Sequence, residues 1–241
     1  MRIIDIGKSR SIIEKAMKKR KTLFDIIGPA IIGPSSSHTA GAVRIGYIAG
    51  KIFKYTPQKV KFRLYNSFAK TGKGHGTDKG LLGGILGLDV DDEKIKSAFD
   101  LAKKMKVTSD FEFTEDTNKH PNYVEITLEK EGIPEMKISG ASLGAAEIVV
   151  TEINGYKFNI NGDFETLILI YKDKPGIVYR VADILQNKNL NIASMHCDRC
   201  AKGIEASMGI CVDGEIPQGV IDKLSQMQDM YLIRKIGMLK K

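Results

Sequence analysis

The sequence predicts an α+β chain made of two units, each with its own sheet, and three observations indicate this. Segments in which apolar and polar residues alternate, as in half-buried strands, are mixed with helical patterns as far as about residue 161. From there the order becomes strand, helix, strand, strand, helix, strand within about 75 residues, which is a split βαβ arrangement. The chain has 241 residues, of which 42% are apolar, enough for two packed cores.

The first unit begins with a helix and a strand. Ser37 and Thr39 offer N-caps for an Ala- and Ile-bearing helix that runs to about Lys54. The stretch KVKFRLYN, residues 59–66, alternates strictly and predicts a half-buried strand. These two elements give the first unit a helix that can pack on a sheet.

Further helices and strands complete the first unit. Residues 77–88 predict a helix whose glycines, Gly80, Gly83 and Gly84, indicate close packing against another backbone. Residues 91–106 predict an amphipathic helix with acidic residues first and basic residues last, in agreement with the helix dipole. Short strands are then predicted at DFEFT, NYVEITLE, EMKIS and EIVVTEI, with GASLGAA as a turn or bulge between the last two.

The second unit is predicted from its element order. The strand ETLILIY leads through the turn KDKPG into the helix IVYRVADILQNKN, and a hairpin centred on Lys202 and Gly203 follows. The helix PQGVIDKLSQM and the strand MYLIRKIG end the unit. We therefore divide the chain into a basic arm (1–21), a first domain (22–161) and a second domain (162–241).

The positive charge of the chain is concentrated at one end. The formal net charge is +8, but residues 1–21 hold eight Lys or Arg against Asp5 and Glu14, which leaves 29 basic and 27 acidic groups in residues 22–241. A basic end without interleaved aromatic residues is typical of a solvated helix face or a docking arm, and we expect no nucleic-acid binding. Ile12, Ile13 and Met17 lie near helical spacing, which favours a short amphipathic helix that packs on a partner. No apolar run is long enough for a membrane span and no secretory signal is evident, so a cytoplasmic location is expected.

The three cysteines predict neither a disulfide framework nor a metal centre. The number is odd, and no export signal accompanies Cys197, Cys200 and Cys211. If the hairpin pairs as expected, Cys211 lies opposite Ala193, about 13 Å along the strand from Cys197 at about 3.3 Å per residue. One metal ion cannot span that distance. Cys197 and Cys200, beside His196, remain open as a two-ligand corner.

The stretch IIGPSSSHTAGAVRIG, residues 31–46, combines hydroxyls and an imidazole at a helix start. Unpaired N–H groups and a partial positive charge make a helix N-terminus a natural seat for a carboxylate or phosphate. Ser35, Ser36 and Ser37 would add hydroxyl donors, and the helix dipole favours a neutral His38 that can accept a proton. The alternative is a Ser-rich cap with a structural histidine.

A second glycine-rich stretch, residues 70–80, repeats this composition. His75 is followed by Thr77 and Asp78 at the start of the next helix. The spacing matches neither a P-loop nor a dinucleotide fingerprint. A flexible turn with an exposed histidine is the alternative here, and His120, in NKHPNY, is expected to be structural or exposed.

These stretches together resemble one family. LFDIIGPAIIGPSSSHTAGAVRIG, NSFAKTGKGHGTDKGLLGGILG and HPNYVEI resemble the beta chain of the iron-sulfur-dependent L-serine dehydratases of the two-chain bacterial type. The last 80 residues resemble an ACT domain, a ferredoxin-like fold, with DKPG after its first strand. The resemblance covers about residues 20–241. Family members usually have a glycine-rich stretch that GASLGAA retains only in part.

The resemblance implies a reaction and a partner. L-serine would lose water and ammonia to give pyruvate, as in a lyase of amino-acid degradation and gluconeogenesis. The site would be shared in a heterodimer with an alpha chain whose cysteines ligate a [4Fe-4S] cluster, and this chain alone would be inactive. The first domain would be similar to the allosteric substrate-binding domain of some phosphoglycerate dehydrogenases.

The resemblance also suggests roles for individual residues. Removal of the Cα proton requires a base, and we expect His38 to be the acid/base group. The expected substrate-binding residues are Ser35, Ser36, Ser37 and Thr39 around the carboxylate, with His75, Thr77 and Asp78 completing the pocket. Whether His75 or His120 shares in catalysis stays open.

The ACT resemblance nominates an effector loop. Its residues would be Asp173, Pro175, Gly176, Asn191 and Ile192, and the effector could be serine, a cation or none. Homodimerisation through ACT strands is a further expectation. Two rival functions remain: a non-catalytic serine-sensing regulatory module, and a pyridoxal phosphate dehydratase, for which no Schiff-base lysine or phosphate cup can be placed here.

Overall fold

The computed structural model describes residues 31–72 and 74–240, with only the backbone of residue 201. The basic arm and its predicted amphipathic helix lie outside the described residues. Two sheets organise the rest, as the sequence predicts: a six-stranded mixed sheet and a four-stranded antiparallel sheet. We call residues 31–160 the N-terminal unit and residues 165–240 the C-terminal unit.

The N-terminal unit is a six-stranded sheet in the order β2-β1-β3-β4-β5-β6. Only β1 and β2 are parallel, and the other neighbours are antiparallel. The alternation in β1 buries Val60, Phe62 and Leu64 on one face, as the sequence predicts. The strands are β1 (Lys59–Tyr65), β2 (Thr108–Thr114), β3 (Tyr123–Lys130), β4 (Ile133–Gly144), β5 (Glu147–Ile153) and β6 (Tyr156–Ile160).

The helices of this unit include a buried crossing that glycines make possible. A Cβ on Gly84 would overlap the carbonyl oxygen of Val43, and one on Gly80 would lie 2.8 Å from the carbonyl oxygen of Thr39. The predicted close packing of backbones is therefore confirmed for Gly80 and Gly84 but not for Gly83, whose nearest neighbours are side chains. The helices are a π-helical turn (Ser36–Ala40) continuous with α1 (Gly41–Phe53), then α2 (Asn66–Thr71), α3 (Thr77–Ile85), a 3-10 turn (Glu93–Ser97) and α4 (Ala98–Lys104).

Several elements of this unit differ from the prediction. The helix expected over residues 91–106 is split, because the Asp92 carboxylate accepts from the Lys94 N–H and starts a separate 3-10 turn. Strand β6 was not predicted, since its five residues alternate too briefly to stand out. The stretch GASLGAA is mostly strand: β4 continues to Gly144, and only Ala145 and Ala146 form the turn.

The C-terminal unit follows the predicted strand and helix order and has a ferredoxin-like sheet, β10-β7-β9-β8. Helix α5 buries Ile177, Val181 and Leu185, four residues apart, on this sheet. The elements are β7 (Glu165–Lys172), α5 (Ile177–Gln186), β8 (Asn191–Ala201), β9 (Glu205–Asp213), α6 (Gln218–Ser225) and β10 (Met230–Ile236).

The two units share a core. Ile168 and Ile170 of β7 and Leu239, beyond β10, belong to the same buried cluster as the apolar residues of α1 and β4. Polar bonds cross the boundary as well: the Arg234 Nε donates to the carbonyl of Ile52 at 2.6 Å. No helix among the described residues combines the length and apolar character needed to span a membrane.

Candidate active site

The first histidine-bearing loop is shaped by a serine cap and a π-helical turn. Ser35 is extended (φ −142°, ψ 124°), and its Oγ accepts from the His38 N–H at 3.1 Å. The N-cap is thus Ser35, whereas the sequence predicted Ser37 or Thr39. The difference arises because the wider π turn begins earlier. π-helical turns occur frequently at functional sites. Here the turn places the imidazole of His38 at the start of the helix that continues as α1.

Both nitrogens of the His38 ring contact serine hydroxyls. Nδ1 lies 3.1 Å from Ser35 Oγ, and Nε2 lies 2.9 Å from Ser67 Oγ, at the start of α2. Since Ser35 Oγ already accepts from a backbone N–H, its own hydroxyl proton is available to Nδ1, which favours the tautomer protonated on Nε2. The two serines therefore fix the ring plane of a half-buried histidine.

The environment of His38 favours its neutral form. Burial lowers the pKa of His38 below its ordinary value of 6.5, and the nearby charge of His75 lowers this pKa further. At neutral pH the imidazole is therefore uncharged and able to take up a proton.

The second histidine-bearing loop lies beside the first. The ring centroids of His75 and His38 are 5.1 Å apart and the rings meet edge to face. The Thr39 hydroxyl donates to the carbonyl of His75 at 2.7 Å, which ties the two loops together. Gly76, with φ of 71°, makes the turn into α3 that allows this approach. His75 is itself exposed.

The other predicted site residues differ in accessibility. The hydroxyls of Ser36 and Ser37 are half-buried and have no hydrogen-bond partner among the described residues. Thr77 is fully buried, and its hydroxyl has no partner within the described part of the chain. Asp78 is half-buried in the first turn of α3, where its carboxylate accepts from the Lys79 N–H at 2.7 Å.

Sequence reasoning did not nominate Ser67 or the residues that position it. Asn66 adopts a left-handed conformation (φ 52°), and its side chain binds the backbone of Asp116 in both directions. The carbonyl of Pro121 accepts from the Ser67 N–H at 2.8 Å. Ser67 is 29 positions from His38 in sequence, so spacing could not reveal the contact. Only the resemblance of its stretch to a family could have drawn attention to it.

Two more polar groups lie near the start of α1. Asn122 and Ser142 exchange backbone and side-chain bonds, and the side-chain oxygens of both are buried without a partner in the described chain. The Ser142 hydroxyl lies where a Cβ on Gly41 would be. The exposed His120 accepts from the Asn122 N–H through Nδ1. The structure therefore brings the HPNY stretch to the edge of the site.

The cysteines lie in the C-terminal unit, away from both histidine loops. Cys197 and Cys200 are exposed on β8, whereas Cys211 is buried. Cys211 pairs with Ser194, one position from the predicted Ala193, because a bulge interrupts the pairing there. Within the described residues, no group of His, Cys, Asp and Glu is arranged to hold a metal ion.

The expected effector residues form two separate groups. Asp173, Pro175 and Gly176 line a cavity of about 470 Å³. Asp173 is held there by Arg199, at 2.9 Å, and by the Gly203 N–H, at 2.7 Å. Asn191 and Ile192 begin β8 at the opposite end of the sheet, where the Asn191 amide binds Asp213. Within a single chain, the five expected effector residues therefore do not form one site.

Comparisons with known proteins agree with the resemblance. The family model of the serine dehydratase beta chain matches residues 22–144. A "Probable L-serine dehydratase, beta chain" of Bacillus subtilis is 38% identical over 91% of this chain and 99% of its own length. The "L-serine dehydratase, beta chain" of Peptoniphilus asaccharolyticus is 39% identical over 72% of this chain and 78% of its own.

More distant similarities cover parts of the chain. A D-3-phosphoglycerate dehydrogenase of Synechocystis is 29% identical over 42% of this chain and 19% of its own length. Among solved structures, the ACT domain from the GTP pyrophosphokinase of Chlorobium tepidum covers 31% of this chain and 99% of its own, with 17% identity and a TM-score of 0.26.

Proposed function

Since the chain belongs to the family of L-serine dehydratase beta chains, we propose that it completes an active site shared with an alpha chain, where L-serine is converted to pyruvate and ammonia. The observation that carries the proposal is the position of His38. Its imidazole is favoured in the neutral form, lies at the start of a helix and adjoins hydroxyls that lack partners among the described residues.

The substrate carboxylate is assigned to the helix start. The first N–H groups of a helix have no intrahelical acceptor, and the positive end of the helix dipole favours an anion. Ser36 and Ser37 add hydroxyl donors. Ser35 and Thr39 were expected to contact the carboxylate too, but each has a partner within the chain, so we assign them to holding His38 and the second loop.

His38 is assigned to the Cα proton of the substrate. A general base acts best when its pKa lies near the working pH, and it must be neutral to accept a proton. Burial lowers the pKa of His38 and thereby favours the neutral form. Ser35 and Ser67 hold the ring so that one nitrogen must give up its serine partner, or pass a proton through it, when substrate binds. His75, which lies just before the helix that begins at Thr77, borders the same candidate pocket, with its ring centroid 5.1 Å from that of His38.

We assign the iron-sulfur cluster to the partner chain. The described residues of this chain do not fit a cluster, since they include no suitable set of ligands. In the proposal the [4Fe-4S] cluster is therefore held by the alpha chain, where it would supply a Lewis acid for the leaving hydroxyl.

The test is anaerobic pyruvate formation from L-serine by this chain, alone and mixed with a cluster-bearing alpha chain. We expect activity only in the mixture. His38→Ala should lower the turnover of the mixture by about 10²- to 10⁴-fold, the usual contribution of a general acid or base. His196→Ala is the matched control, because His196 is exposed on β8 in the C-terminal unit. Full activity of the His38 variant would contradict the assignment.

A serine-sensing module is the second candidate, favoured by the cavity beside Asp173, Pro175 and Gly176. A sensor does not need a base. Binding of serine by the wild-type chain, with no pyruvate formed in the presence of an active alpha chain, would favour this function over the dehydratase.

A further inference from the structure

Arg44 connects three parts of the molecule that are distant in sequence. It lies on α1, six residues after His38, and its guanidinium is half-buried. Nη1 donates to the carbonyl of Ala146 at 2.8 Å, and Nη2 donates to the carbonyl of Lys240 at 2.6 Å. One side chain thus joins the helix of the site, the β4–β5 turn and the chain segment that follows β10.

The β4–β5 turn needs such support because its backbone is strained. Ala145 and Ala146 both have positive φ, at 49° and 63°, a conformation that favours glycine. Non-glycine residues keep such a positive-φ conformation where the surrounding structure imposes it. Ala146 is fully buried in a small apolar cluster with Ala40 and Val43, and its carbonyl is bound by Arg44.

The β4–β5 turn also positions the side chain of Ser142 at the candidate site. Ser142, two residues before Gly144, is fully buried, and its hydroxyl lies against Gly41 at the junction of the π turn and α1. A shift of the turn along β4 would therefore be transmitted to the segment that carries His38.

The other end of this connection is anchored to the segment between the two units and to the N-terminal unit. The Leu239 N–H donates to the carbonyl of Gly162 at 2.9 Å, and the Leu239 side chain packs against Gly162, whose φ is +80°. The Lys240 ammonium pairs with Asp89 at 3.1 Å. Residues 237–240, which we call the tail, are thus held beside Arg44 by apolar and ionic contacts.

We propose that Arg44 is a positioning residue through which the tail of the C-terminal unit holds the Ala145–Ala146 turn, and with it Ser142, against the His38 segment. The contacts to both carbonyls come from one planar guanidinium, so loss of the tail frees Arg44 to move away from Ala146. The effect on catalysis rests on the proposed dehydratase function, whereas the effect on the turn does not.

The first measurement is amide hydrogen exchange of residues 143–147 in the full chain. We compare the wild-type chain, Arg44→Gln, a chain ending at Met238, and the combination of the two changes. Each single change should raise exchange in the turn by about tenfold or more, as expected for loss of a hydrogen bond from a charged donor. The combination should exceed Arg44→Gln alone by less than twofold, because the tail acts through Arg44.

Unchanged exchange in the shortened chain, or effects that multiply in the combination, would overturn the proposal. Leu239→Ala in the full chain is the control for packing, since it weakens the buried contact while retaining the Lys240 carbonyl; it should raise exchange in the turn less than the shortened chain does.

The second measurement is serine turnover of the mixture with the alpha chain. Arg44→Gln should lower kcat by about tenfold and leave KM within about threefold, while Arg44→Lys, which retains a charged donor but not the planar fork, should recover part of the loss. If the wild-type mixture is inactive, the proposed function fails, but the exchange experiment still decides the role of Arg44. Wild-type kcat in Arg44→Gln would contradict the positioning role.

Discussion

The two histidine-bearing loops have similar composition but different environments. Each combines hydroxyls, glycine and one histidine at a helix start, yet His38 is half-buried with both ring nitrogens bound, whereas His75 is exposed. The difference arises from what lies behind each loop. His38 faces α2 and Phe68, with ring centroids 5.8 Å apart, while the loop of His75 is joined to the first loop through its backbone carbonyl. Similar local sequence thus yields one histidine held by two serines and one exposed histidine beside it.

The largest effect is expected from separating the loops. Gly84→Ala should destabilise the N-terminal unit by about 1–3 kcal/mol, because the new Cβ overlaps the Val43 carbonyl and lies 2.6 Å from the Tyr47 nitrogen. Urea unfolding measures the change. Gly83→Ala is the matched control: its Cβ finds the nearest atom, Leu88 Cδ1, at 3.4 Å, so the helix preference for Ala should make it neutral or stabilising. Equal losses in both variants would argue against the crossing as the cause.

A smaller effect is expected from releasing the orientation of the His38 ring, which distinguishes the first loop from the second. Ser67→Ala removes the hydroxyl 2.9 Å from His38 Nε2 and should lower kcat of the mixture by roughly 2- to 10-fold, the worth of one hydrogen bond. The KM for serine should change little, since Ser67 is not assigned to the carboxylate. Ser97→Ala, which alters an exposed hydroxyl on the 3-10 turn, should leave both constants unchanged. A wild-type kcat in Ser67→Ala would show that the ring is held without this contact.

The smallest effect concerns the charge of His75. The nearby His75 lowers the pKa of His38, so His75→Gln should raise it toward 6.5. If His38 acts as the proposed base, its neutral form is the active one and activity falls as the pH drops through this pKa. The acid limb of kcat/KM should then move to higher pH in the variant. His196→Gln is the control for loss of an exposed histidine, because His196 lies on β8 in the C-terminal unit. A limb that stays in place or moves to lower pH would contradict the electrostatic coupling.

Regular elements were predictable from sequence because their periodicity is local. Strand β1 and the ferredoxin-like order of the C-terminal unit follow from alternation and from apolar residues at helical spacing. The approach of the two histidine loops was expected from the family resemblance alone and not from local periodicity, since it depends on the crossing of α1 and α3. Ser67 and Ser142 were missed because the sheet, and not their spacing in the sequence, brings them to the helix start.

The topology of the first sheet has a consequence for folding. Strand β1 pairs with β2 and β3, and Lys59 lies opposite Thr108 and Glu129, about 50 and 70 positions away. Contacts between such distant positions incur a large loop-closure entropy and form slowly. The segments around His38, Ser67, Asn122 and Ser142 can meet only after these pairings exist. A partly folded chain therefore lacks the assembled candidate site, and under the proposed function the ability to activate the alpha chain should appear with the slowest folding phase of this sheet.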